Sequence, residues 1–183
     1  MQKSNSKFAV LPVMFGFFIM GFVDIVGVAT SYVKADFAGM DDKVSGLISL
    51  SCFLWFLILS IPTGMLMNRI GRKKTVVVSF AITALAMLIP VLKYDFAFVL
   101  VAFAMLVIGN TMLQVALNPL VTNVVSAEKL TGTITLGQFI KAMSSFLGPI
   151  LAAMFAGSVW GWKAIFPVYA AVTVLAMAWL AVS

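Results

Sequence analysis

Asp24 and Lys141 each interrupt a long apolar run. A charge at the centre of a bilayer costs on the order of 2.5–3.5 kcal/mol on insertion scales, so such groups face a bundle interior or a wet cavity. Neutral polar groups stand around them at helical spacing. Asn110, Gln114 and Asn118 recur every four residues, with Thr111 and Thr122 beside them. A step of four drifts by only about 40° around a helix, so the three amides form one gently winding stripe. Thr135, Gln138 and Lys141 recur every three residues and are followed by Ser144 and Ser145, again on one face. An amide both donates and accepts, so it can grip a hydroxyl in either of its roles. Two amide stripes, a carboxylate and an ammonium suit a small solute rich in hydroxyls. On this reading Asp24 carries a proton, and Asn110, Gln114, Asn118, Gln138 and Lys141 contact the solute.

A blander use exists for each of these groups. Ser, Thr, Asn and Gln also join transmembrane helices, at about 0.6–2 kcal/mol per hydrogen bond. Asp24 could be a buried partner of Lys141. The two are offset by roughly 9 Å of helix rise, much of which a lysine stem can span. Pair and proton carrier are compatible, and both readings stay open at this point.

The elements that position these groups follow from hydropathy. A bilayer core takes about 20 consecutive apolar residues per helix. Six stretches qualify, at 8–33, 44–67, 75–92, 96–125, 133–156 and 164–183. Segments this long exclude barrel strands, and in hydrocarbon each must satisfy its own backbone polar groups. The short connections predict an up-and-down all-α bundle. The third and sixth helices hold only small hydroxyls and Tyr169, and read as peripheral and lipid-facing. Pro62, Pro119 and Pro149 each free a carbonyl, so bends are expected at Asn118–Pro119 and Gly148–Pro149. The first run is too long for the apolar part of a signal peptide and reads as a retained helix.

Composition agrees with lipid as the solvent. The 183 residues are 63% hydrophobic and 10% charged, whereas soluble domains carry roughly 25% charged residues. With no histidine, a His triad, a His metal site or a His proton relay is excluded within the chain. Cys52 is the lone cysteine and reads as a small buried hydrophobe, so no intrachain disulfide can form. Paired intramembrane carboxylates and a glycine-rich phosphate loop are also missing, so the chain does not read as an enzyme and calls for no metal or cofactor.

The net charge of +6 would suggest nucleic acid in a soluble protein. Here all of it lies on one side of the predicted bundle. Lys3, Lys7, Arg69, Arg72, Lys73, Lys74 and Lys129 face Glu128 alone, while Lys34, Lys43, Lys93 and Lys163 balance Asp36, Asp41, Asp42 and Asp95. Positive charge collects on the cytoplasmic side, which predicts both ends of the chain in the cytoplasm and a multi-pass place in the inner, plasma membrane. The basic balance is thus a topology signal and not a nucleic-acid footprint. A polybasic lipid contact at Arg69–Lys74 is a secondary use.

The link after the second helix reads Gly64-Met-Leu-Met-Asn-Arg-Ile-Gly-Arg-Lys-Lys74. It resembles the signature loop of the major facilitator superfamily, Gly-x-Leu-x-Asp-Arg-x-Gly-Arg-Arg/Lys, and falls where that family carries it. Gly64, Leu66, Arg69, Gly71, Arg72 and Lys73 match. In physical terms Gly64 allows close helix approach, Gly71 permits a tight turn, and the arginines suit carboxylates or lipid phosphates. Asn68 replaces the family's usual Asp. It can cap a helix but brings no charge to the latch that this acid helps to form in the family.

Gln114-Val-Ala-Leu-Asn-Pro-Leu-Val-Thr122 is similar to the Glu-x-x-x-Asn-Pro-x-Val-Thr segment of the fucose permease subfamily, and Leu136-Gly-Gln-Phe139 to its fifth helix. The resemblance implies a sugar:proton symporter working by alternating access. It makes this chain the N-terminal half of the fold, two inverted three-helix repeats, truncated before a second six-helix half that would be its partner. Asp24 then corresponds roughly to Gln114 by the repeat rule. Gln114 stands at the subfamily's acidic position and cannot carry a proton, so the sugar reading transfers better than the coupling mechanism. A uniporter, a carrier of a drug or organic anion, and a half-size dimerising membrane protein are the alternatives.

Overall fold

The computed structural model describes residues 6–37 and 41–183, and among them every regular element is a helix. Lys3 and the side chains of Lys7, Asp42 and Cys52 lie outside the described residues. The first column of the bundle is α1 (Ser6–Met20), a 3₁₀ turn (Gly21–Asp24) and α2 (Ile25–Asp36). There follow α3 (Asp42–Ile70), α4 (Arg72–Leu92), α5 (Phe96–Val124) and α6 (Ala127–Ala156), and a second 3₁₀ turn (Gly161–Ala164) leads into α7 (Ile165–Val182). Five of these columns, Val10–Asp36, Arg72–Leu92, Phe96–Val124, Ala127–Ala156 and Gly161–Val182, are long and apolar enough to cross a membrane. Within α3 the described apolar stretch is Leu54–Ile70.

The helices outrun the apolar stretches. α6 begins at Ala127, and α3 and α4 are separated by Gly71 alone. Hydropathy marks where side chains leave lipid, but backbone hydrogen bonding continues beyond that point. The signature segment is therefore helix, glycine, helix. Gly71 sits at φ 90°, a left-handed conformation that favours glycine. Its N–H donates to the Met67 carbonyl at 2.9 Å, and its own carbonyl accepts from the Thr75 N–H at 3.1 Å. At the opposite end of the bundle Asp95 caps α5, accepting from the Ala97 N–H at 3.1 Å.

Pro62, Pro119 and Pro149 all lie inside uninterrupted helices. The one interruption within a membrane column comes instead at Gly21–Asp24. There a Cβ on Gly21 would stand 2.7 Å from both the Lys141 carbonyl oxygen and Ser144 Cβ, so the turn rests directly on the backbone of α6. Close approach of a second kind occurs at Gly109, where a Cβ would stand 2.5 Å from Thr83 Oγ1. Gly64, expected to permit such an approach, has no neighbour within 4 Å of where its Cβ would be.

α4 packs between α5 and α7, while α1 packs on both α5 and α6. The third helix of the bundle thus buries one face, and the other carries the exposed apolar side chains Val78, Leu85 and Leu88, as expected of a lipid-facing helix. Ser79, Thr83, Tyr169 and Thr173 are all buried. Two of these hydroxyls cost little to bury, because Ser79 donates to the Val76 carbonyl and Thr173 to the Tyr169 carbonyl, each at 2.7 Å. The open face belongs to α6 and α3. Phe139, Phe146 and Met154 on α6 and Leu57 and Ile61 on α3 are exposed apolar side chains.

Asp36 ties the end opposite the signature segment. Its Oδ2 accepts from the Tyr94 hydroxyl at 2.7 Å and from Trp162 Nε1 at 3.0 Å. Tyr32 stacks on Trp162 and Phe37 on Tyr94, with ring centroids 5.2 and 5.3 Å apart. Lys163 Nζ lies 3.9 Å from the centre of the Tyr94 ring. One carboxylate thereby joins the end of α2 to the α4–α5 and α6–α7 turns. Burial, the hydrogen bond to Asp36 and its negative charge together push the Tyr94 hydroxyl well above the usual tyrosine range.

Candidate functional site

Asp24 closes the first 3₁₀ turn, and its side chain is exposed on the open face. The carboxylate Oδ2 is within hydrogen-bond reach of the Ser145 hydroxyl on α6. The same hydroxyl lies 3.0 Å from the Lys141 carbonyl oxygen. Asp24 therefore meets Ser145, and the expected ion pair with Lys141 is not formed among the described residues. The helix crossing explains this. Gly21 seats its turn against Lys141 and Ser144, so the side chain level with Asp24, three residues on, is Ser145. Lys141 itself is half-buried.

The amide stripe on α5 winds from inside to outside. Asn110 is buried within the bundle, and Gln114 and Asn118 are half-buried. The side-chain oxygens of Asn110 and Asn118 are both enclosed, yet neither has a protein donor. A buried acceptor left unsatisfied costs about 1–3 kcal/mol. Among the described residues neither oxygen joins a neighbouring helix by a hydrogen bond. On α6 Thr135 and Gln138 are exposed. Since α1 packs on both α5 and α6, the two polar stripes flank the first column.

The signature residues sit at the other level of the fold. Arg72 Nη1 donates to the Pro119 carbonyl at 2.8 Å, to Thr122 Oγ1 at 2.6 Å and to Asn123 Oδ1 at 2.8 Å. A cation at a helix C-terminus meets the negative end of the helix dipole. Its partners are therefore the neutral end groups of α5, where a carboxylate or lipid phosphate was expected. Lys73 Nζ donates to the Ala181 carbonyl at 3.2 Å and does the same for the last turn of α7. Asn68 and Arg69 are exposed. The N-cap of α4 is Gly71, with no side-chain hydrogen bond, so the capping role expected of Asn68 is not formed.

Two functional contacts were invisible in the residue pattern. Ser145 read only as one more hydroxyl on the polar face of α6. Asn123 gave no signal beyond standing near the end of an apolar run, where a helix C-terminus needs donors.

Comparison with known proteins follows the same lines. A family profile described as Major Facilitator Superfamily matches residues 12–183. A glucose/galactose transporter of Brucella abortus biovar 1 (strain 9-941) is 31% identical over 157 residues, covering 84% of this chain and 38% of its own length. A putative glucose/galactose transporter of Helicobacter pylori (strain ATCC 700392 / 26695) is 29% identical over 158 residues, with the same coverage of 84% and 38%. The chain thus spans well under half the length of these curated relatives.

Proposed function

Because this chain belongs to the Major Facilitator Superfamily, a family of multi-pass membrane transporters, we propose that it is the first six-helix half of a carrier that moves a sugar together with a proton. The second half would close the open face of α3 and α6. The solute would bind near the midplane, and the halves would rock about it to expose the site alternately to each side. Positive charge at the signature end puts that end in the cytoplasm.

The observation that carries the sugar reading is the similarity to glucose/galactose transporters, and the half-buried amides Gln114 and Asn118 on α5 offer groups that both donate to and accept from hydroxyls. Asn110 would join them from the same helix, and Gln138 and Lys141 from α6. The proton falls to Asp24, the one carboxylate set well inside an apolar run. Neither Gln114 nor any other amide can take that role.

Transport assays on the whole-gene product test this. Asp24→Asn is expected to abolish pH-driven galactose uptake and to spare galactose counterflow, which moves no net proton. Unchanged pH-driven uptake would remove Asp24 from coupling. Asn118→Ala is expected to weaken half-saturation by about tenfold, the loss of one to two hydrogen bonds.

A further inference from the structure

The Ser145 hydroxyl has one proton and two acceptors within reach, the Asp24 carboxylate and the Lys141 carbonyl. A hydroxyl can also accept while it donates. From this geometry we infer that Ser145 is a positioning residue that keeps Asp24 bound to α6 in both protonation states by reversing the direction of one hydrogen-bond chain. When Asp24 is ionised, Ser145 donates to the carboxylate. When Asp24 is protonated, its O–H donates to Ser145 Oγ, and Ser145 donates to the Lys141 carbonyl. No bond is made or broken other than the arrival of the proton at Asp24. The inference rests on the coupling role proposed for that residue.

The helix crossing holds the pair together. The 3₁₀ turn touches the α6 backbone at Gly21, with no room for a methyl group. Other groups lie near Asp24 as well. Lys141 on α6 makes no ion pair with Asp24 among the described residues, and Tyr169 on α7, whose hydroxyl feels the Asp24 charge, is buried and stacked on Phe22, with centroids 3.8 Å apart. Ser144 is buried beside Gly21 and its hydroxyl has no partner. Among the described residues, Ser145 is the side chain hydrogen-bonded to both acceptors.

Infrared spectroscopy of the protonated carboxyl stretch reads this bond directly on the purified whole-gene product, without any sugar. The Asp24 band is the one that Asp24→Asn removes. Ser145→Ala is expected to move that band to higher frequency, because the carboxyl loses the hydroxyl it bonds to, and Ser145→Thr, which keeps a hydroxyl, to restore it. An Asp24 band at the same frequency in Ser145→Ala overturns the inference and leaves the coupling role standing. If Asp24→Asn removes no band, the coupling role fails and the inference goes with it.

Discussion

At the scale of single residues, Arg72 shows how a motif's chemistry depends on what it meets. Its three acceptors are a carbonyl, a hydroxyl and an amide at the end of α5. Bonds from a charged donor contribute about 1.5–3 kcal/mol when partly shielded, and the exposure of Thr122 and Asn123 argues for the lower end. Arg72→Ala should therefore destabilise the purified protein by roughly 1–2 kcal/mol, read as a lower melting temperature in detergent. All three bonds leave from Nη1, so Arg72→Lys, which keeps a charged terminal nitrogen, should recover part of the loss. Asn123→Asp is the informative reverse. A carboxylate there would pair with Arg72 and raise the melting temperature, unless the neutral site is already saturated by its other two acceptors. The sequence made Arg72 conspicuous but not its partners. They lie about fifty residues away, and no local pattern encodes a helix end's need for a donor.

At the scale of elements, packing is set by a few small residues whose neighbours no periodicity reveals. Gly109 is the clearest case. Gly109→Ala would put a methyl group 2.5 Å from Thr83 Oγ1 and 3.1 Å from the Ser79 carbonyl, an overpacking that costs about 1–3 kcal/mol. Adding Thr83→Ala should recover part of it, because the hydroxyl leaves while the backbone contact stays. Equal melting temperatures for the single and double variants would mean that backbone contact alone sets the spacing. The Asp36 cluster makes a second prediction at this scale. Tyr94 holds its proton above the ordinary value of 10.0 when folded, so the unfolded chain loses that proton first. Its contribution to stability is complete below about pH 10 and declines above it. Tyr94→Phe should lower stability near neutral pH by about 1 kcal/mol and flatten the alkaline decline. The apolar runs, and hence the number of columns, were legible because transfer into lipid is additive along the chain. The order of burial was not. α4 buries one face and α6 is largely open, although α6 is the more polar of the two. That ranking depends on which helices flank each one. The 3₁₀ turn at Gly21–Asp24 escaped for the same reason, since its seat is the backbone of α6 while the prolines that promised bends sit in unbroken helices.

At the scale of the whole molecule, charge divides the two ends. Arg69, Arg72, Lys73, Lys74 and Lys129 share the signature end with Glu128, whereas Asp36, Tyr94, Trp162 and Lys163 meet at the other. Orientation in the membrane follows the lysines and arginines of short loops rather than net charge. Both the α3–α4 corner and the α5–α6 link are short, so their cations count in full. Two exposed positions report the result, Ser158 in the α6–α7 turn and Lys129 in the first turn of α6. In a whole-gene product carrying Cys52→Ser and freed of any further cysteines, Ser158→Cys should react with a membrane-impermeant maleimide on intact cells. Lys129→Cys should react only after permeabilisation. The reverse pattern would invert the bundle and put Asp24, which lies nearer the Asp36 end, on the cytoplasmic side of the midplane. Because the proposed site opens to each side in turn, that outcome would overturn the orientation and leave the coupling role of Asp24 to the uptake and counterflow assays.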